Sequence, residues 1–309
     1  MLGAIIGDIC GSIYEREPVQ RDDFALLQNR EYHNFTDETV LLTAIAETYL
    51  FDKKEYYSDL SEYVDFFPLK PYGTWFRHWA TSTSLEPYNS YGNGAASRVC
   101  ALGFLAKSEL EALEEARYSA KVTHSHPEGI KGAQAVALGI YMACRNASKT
   151  EIKERIEKEF GYNLSRTLVG IRKNYRFDIT AQGSVPEAFI AFFESTSFVT
   201  AIENAILLRG DADTQASIAG ALAEAYYKQI PYILIEHALK LIPEKIKGIL
   251  ELFYERYSPL AEERNTKLEN RRFRSYRDPL KEKPQAQDIQ GQEIIDCILH
   301  SRGRRFFSE

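Results

Sequence analysis

Two acidic stretches carry the residue types best suited to chemistry. The first is Phe35-Thr36-Asp37-Glu38-Thr39, and the second is Arg209-Gly210-Asp211-Ala212-Asp213-Thr214. Together they offer four carboxylates and several hydroxyls. Oxygen donors of this kind suit hard cations such as magnesium. Each stretch also fits the first turn of a helix, where a Thr or Asp cap and acidic neighbours oppose the helix dipole. For either stretch alone, capping and metal ligation both stay open.

Three further segments hold chemical groups between or before these stretches. Asp8 interrupts the small-residue run Gly3-Ala4-Ile5-Ile6-Gly7-Asp8-Ile9-Cys10-Gly11-Ser12-Ile13-Tyr14-Glu15. A carboxylate in such a run must be hydrogen-bonded, paired or near a metal. Tyr91-Gly92-Asn93-Gly94 reads as a loop whose glycines and asparagine favour positive φ and bare backbone amides. Bare amides ahead of a helix can hold an anion. Thr123-His124-Ser125-His126-Pro127 places two histidines at i and i+2. Without further nitrogen or sulfur ligands nearby they make a poor zinc site. Ligand contact and loop bracing remain the two readings for His124.

Helices are needed to position these groups. Apolar residues recur at helical spacing after Thr39 (Val40, Leu41, Ala44, Ile45) and after Thr214 (Ile218, Ala219, Leu222, Ala223). Glycines at 3, 7 and 11 would line one helix face and admit a close neighbour. Further helices are expected over 110–121, from Ala133 onward, over 149–160, from Ser184 to Phe193, and from Phe198 toward Arg209. Gly210 is expected as the residue that ends the last of these. Two-residue alternation is scarce, so the expected fold is all-α, with the site at helix ends.

The 309 residues suffice for one large domain or two small ones. Residues 1–260 read as the folded domain, and 261–309 as a charged tail with a short helix from Gln287 to His300. The hydrophobic share of 44% and charged share of 27% are ordinary for a globular protein. A net charge of -6 disfavours a nucleic-acid partner. Four scattered cysteines without a C-x-x-C pair argue against a disulfide framework and a zinc site. No basic n-region precedes the apolar start, and no run reaches membrane-spanning length. A cytoplasmic location with reduced thiols and no membrane partner is expected.

In their order along the chain these motifs resemble the ADP-ribosylglycohydrolase family, the DraG-like or ARH-like hydrolases. The resemblance covers roughly residues 1 to 260. It implies an all-α domain whose central cleft holds two magnesium ions, with manganese as a possible substitute. By position, Thr36, Asp37, Glu38, Asp211, Asp213 and Thr214 would surround the metals. Glu15 and Asp37 would act at the reacting centre. Tyr91, Gly92, Asn93, Gly94 and His124 would line an ADP-ribose site. The implied reaction is magnesium-dependent cleavage of the glycosidic bond between ADP-ribose and a modified acceptor. A non-catalytic ADP-ribose-binding module is the alternative. Three positions depart from the family pattern: Glu38 for a usual aspartate, Arg209 for a glycine, and Ala212 for a Ser or Thr.

Overall fold

The computed structural model describes residues 1–19, 24–53, 55–84, 86–257 and 288–289. Its regular secondary structure is almost wholly helical, as expected. At its centre lie α1 (Leu2–Gly11) and a late helix, Ala212–Tyr227, packed along most of their length. Every residue of α1 is buried, so this helix is enclosed on all sides rather than striped, and Asp8 is its one charged residue. The glycine spacing explains the approach. A Cβ on Gly7 would fall 2.0 Å from the Ala216 carbonyl oxygen, and one on Gly3 would fall 2.4 Å from that of Gly220. Glu224 ties the pair to a third helix. It accepts from the Met1 ammonium at 2.8 Å and the Gly3 amide at 2.6 Å, and takes the Tyr254 hydroxyl as well.

Around this pair the chain adds α2 (Asp37–Leu50), α3 (Tyr56–Phe66), α4 (Thr74–Ala80), α5 (Gly94–Arg98), α6 (Cys100–Leu105) and α7 (Glu109–Lys121). Then come α8 (Pro127–Cys144), α9 (Lys149–Phe160), α10 (Leu168–Arg172), α11 (Ala181–Phe193) and α12 (Phe198–Ile206). The central Ala212–Tyr227 helix is α13, followed by α14 (Tyr232–Leu241) and α15 (Glu244–Tyr257). Helices α8, α11 and α12 pack on α13, while α2 joins α3, α6 and α15. Side chains fix the starts. Ser148 and Ser197 form capping boxes for α9 and α12, and Pro127 occupies the first turn of α8. Among the described residues no helix is long and apolar enough to cross a membrane.

Three local expectations need correction. Helix α11 begins at Ala181 rather than Ser184, because Thr180 caps it by accepting from the Gly183 amide. Pro186 is accommodated inside that helix. Gly210 does not take the left-handed turn. Arg209 does, at φ 62°, while a Cβ on Gly210 would strike the Tyr175 ring at 2.5 Å. The glycine is therefore required for space, not for φ. Lastly, Asp288–Ile289 pairs as a short antiparallel strand with Ile230–Pro231, where a helix was expected to start. The rest of the expected tail and the division at residue 260 lie outside the described residues.

Candidate active site

Asp8 sets the geometry. It is fully buried in α1, and its carboxylate accepts four hydrogen bonds from the start of α2. The Thr36 amide and hydroxyl donate at 2.9 and 2.6 Å, and the Thr39 amide at 3.1 Å. The Thr39 hydroxyl completes the set. Burial raises the Asp8 pKa, and these hydroxyl bonds oppose the rise. Thr36 also caps α2 by accepting from the Glu38 amide at 3.2 Å. Having given its proton to Asp8, the Thr36 oxygen has only lone pairs left to offer.

Glu38 joins the two acidic stretches, which lie far apart in sequence. Its Oε1 accepts from the Thr214 hydroxyl at 2.8 Å, and its Oε2 accepts from the Ser97 hydroxyl. Helices α2, α5 and α13 therefore meet at one buried carboxyl. Burial, then repulsion from Asp37, pushes its pKa well above the usual carboxylate range. Asp37 is pushed up to about 7 by burial, then by Asp8. At the start of α13, Asp211 accepts from the Asn93 side-chain amide at 2.7 Å. Asp213 accepts from the Thr214 amide at 2.8 Å. Burial raises both, and Asp211 raises Asp213 further. Glu15 follows α1 in a turn, half-buried. Burial and the nearby Asp211 lift its pKa, while Arg16 works against them.

One wall comes from the segment before α5. Gly92 bridges to Thr180, the Asn93 amide donates to the Ile179 carbonyl at 2.9 Å, and the Gly92 amide donates to Ser90 Oγ at 3.1 Å. This corrects the expected cradle of bare amides: two of them are already bonded. None of the three takes positive φ, and Gly94 opens a helix instead. A Cβ on Gly94 would meet open space, whereas one on Gly92 would come within 3.4 Å of His124 Nε2. His124 is buried, with Nδ1 2.7 Å from the Thr123 hydroxyl. Burial and the adjacent Arg98 keep its imidazole neutral, with a pKa well below the usual value. His126 is different: it caps α8 by accepting from the Glu128 amide. Tyr91 is about half exposed at the rim, its ring 5.4 Å from that of His126.

The sequence-based set is thus brought to one place: Thr36, Asp37, Glu38, Asp211, Asp213 and Thr214 as a floor, Glu15 beside it, and Gly92, Asn93 and His124 along a wall. Ser97 and Asp8 were not singled out as site residues, although Asp8 stands out as an acid inside an apolar helix. The donor chemistry fits a hard cation. Asp211 and Asp213 share a side-chain hydrogen bond, the other partners these acids find are neutral hydroxyls and amides, and Thr36, Thr214 and Ser97 each give away their proton. Burying four carboxyls together is costly without positive charge. The atoms are not yet gathered into a cage: among the described residues no three His, Cys, Asp or Glu side chains are grouped to hold one ion.

Fold and sequence together define the class. The chain belongs to the ADP-ribosylglycohydrolase family, whose profile matches residues 1–266. Among its relatives is the ADP-ribosylhydrolase ARH3 of Mus musculus, 25% identical over 75% of this chain and 84% of that protein. The ADP-ribosylarginine hydrolase Tri1 of Pseudomonas putida (strain GB-1) is 24% identical, over 74% of this chain and 69% of that one. A solved chain from an ADP-ribosylglycohydrolase-related protein complex superposes with a TM-score of 0.58 at 23% identity, covering 83% and 92% of the two chains. That superposition establishes the shared fold.

Proposed function

We propose that this protein is a magnesium-dependent hydrolase that releases ADP-ribose from a modified acceptor by cleaving its glycosidic bond. The observation that carries this reading is the bond from Thr214 to Glu38, 176 residues apart. It joins both acidic stretches into one buried floor beside Asn93 and His124. The ARH3 and Tri1 relatives support the same reaction class.

Thr36, Asp37, Glu38, Asp211, Asp213 and Thr214 would hold two magnesium ions, which when bound would supply Lewis-acid activation of a water molecule. The protein's own groups do the rest. Asn93, Gly94 and neutral His124 face the ribose and diphosphate and orient them. Glu15 has a raised pKa, as a general base needs near neutral pH, and it takes the proton from water. The floor of carboxylates stabilises the positive charge that grows on the sugar as the bond breaks.

The second reading, an ADP-ribose-binding module without turnover, draws on Glu38. Both of its oxygens are already held by hydroxyls, and it stands where the family has an aspartate. Incubation with ADP-ribosylated peptides distinguishes the two. Free ADP-ribose should accumulate beyond one equivalent of protein. Tight binding of ADP-ribose with no release would overturn the hydrolase reading in favour of the module.

A further inference from the structure

Ser97 stands where the acidic floor meets the wall. It lies on α5, entered through Asn93 and Gly94, and it is fully buried. Its hydroxyl donates to Glu38 Oε2, while Glu38 Oε1 accepts from the Thr214 hydroxyl at 2.8 Å. The Gly94 carbonyl, at 3.3 Å, is the other acceptor in reach of Ser97. A hydroxyl has one proton to give, and an ionised carboxylate is the stronger of the two acceptors. Ser97 is also a fixed donor. At the entrance of α5, the Asn93 side chain donates to Asp211 at 2.7 Å and its backbone amide to the Ile179 carbonyl at 2.9 Å. At the other end, Arg98 donates to the Ser119 carbonyl at 2.6 Å. So short a helix does not hold its own place, and these bonds set where the Ser97 hydroxyl sits.

A glutamate side chain turns about several torsions, so burial alone does not decide where its carboxyl points. The bond from Thr214 locates one oxygen and leaves the carboxyl free to swing about it. The bond from Ser97 stops that swing. Each oxygen then keeps a lone pair for a cation, in a direction set by the protein. Magnesium demands near-octahedral geometry. A carboxyl oriented in advance therefore binds it better than one that must be ordered on binding.

Resting on the metal-dependent reading above, we propose that Ser97 is a positioning residue for the metal centre. It touches neither metal nor substrate, and acts by fixing the plane of the Glu38 carboxyl. The role is tied to the length of the side chain at position 38. An aspartate on the same backbone holds one of the two hydroxyls, not both. Removing the Ser97 hydroxyl should therefore matter with glutamate at 38 and not with aspartate, a pattern that a purely structural role for Ser97 does not produce.

The test is calorimetric titration of magnesium into chelator-stripped protein without substrate. Ser97→Ala should weaken magnesium binding about tenfold. Ser97→Cys, similar in size but a weaker donor, should weaken it about threefold. In a Glu38→Asp background, adding Ser97→Ala should change the affinity less than about twofold. Thermal melts of the metal-free variants check that each is folded. Where Ser97→Ala is not, Ser97→Cys carries the comparison in both backgrounds. Wild-type affinity in the folded Ser97 variants overturns the proposal. So does an equal loss in both backgrounds, which would make Ser97 a packing residue of α5. Wild-type protein that binds no magnesium overturns the metal-dependent reading, and this proposal with it. Magnesium binding in the expected pattern without release of ADP-ribose overturns the hydrolase reading alone and upholds the role of Ser97.

Discussion

Asp8 and Thr36 are joined twice: one carboxylate oxygen takes the Thr36 hydroxyl at 2.6 Å and the other takes its amide at 2.9 Å. A buried acid in the first helix thereby sets where the second helix begins. Asp8→Asn keeps the shape but replaces one acceptor oxygen with a donor that faces other donors. The expected result is a loss of about 3 kcal/mol in stability, read by urea denaturation, with a larger fractional loss of turnover than of folded protein. Unchanged stability would mean that the turn is fixed by something other than Asp8.

Stability should depend on pH through the acidic floor. The Asp37 carboxyl rises from 3.8 to about 7 in the fold, owing to burial and then Asp8. A raised folded pKa means that protonation favours the folded state. This contribution is present below 3.8 and is lost as pH rises through 7. Glu38 and Asp213 shift in the same direction. His33 acts oppositely, its imidazole lowered by burial from 6.5 to about 4, so its effect is complete by pH 6.5. Chelated protein should therefore melt at a lower temperature at pH 8 than at pH 6.5. Magnesium should raise the midpoint more at pH 8, because metal and protons compete for the same oxygens. A flat profile that magnesium leaves unmoved would contradict the metal assignment.

Glu38 reaches both Ser97 and Thr214. Aspartate is one methylene shorter and cannot span both from the same backbone. Glu38→Asp is expected to keep metal-dependent hydrolysis at a reduced rate. Glu38→Ala should lose most of it, about a hundredfold or more in kcat/KM, having shed a charged oxygen ligand. Steady-state kinetics in magnesium and then manganese check this. Full activity in Glu38→Ala would reduce the residue to a member of the first helical turn.

Lys149 supports the fold away from the site. Its ammonium donates to the carbonyls of Phe192, Phe193 and Ser195, and to the Tyr227 hydroxyl. It closes the end of α11, where carbonyls lack helical partners. Lys149→Met should cost roughly 2 kcal/mol in denaturant unfolding, in line with charged hydrogen bonds. The turnover of the folded fraction should stay as in wild type. A variant of wild-type stability would show that the carbonyls find water equally well.

Much of the fold was legible because it is written in local spacing. The glycines at 3, 7 and 11 foretold a close helix contact, and the charged periodicity over 149–160 matches α9 in its bounds. The short α5 escaped notice because glycine and asparagine at its entrance read as loop. Arg209 escaped because a left-handed arginine runs against steric preference, which favours glycine in that role. The site divides in the same way. Its floor was visible as acids at helix starts. The bonds that assemble it were not: Asp8 to Thr36 spans 28 residues, Ser97 to Glu38 spans 59, and Asn93 to Asp211 spans 118. Such pairings are settled by how helices pack, which no window of local sequence contains.

The most direct test of the joined acidic floor is the rate of ADP-ribose release by chelated protein as magnesium is added back, for wild type and Asp213→Asn. Asp213 belongs to the second stretch, and its substitution removes one charged oxygen from the floor. The expected result is no release without metal, a saturable return in wild type, and a variant that needs far more magnesium and stays slower at saturation. Undiminished release in excess chelator, or a variant as fast as wild type at low magnesium, would contradict a metal centre built from Asp37, Glu38, Asp211 and Asp213.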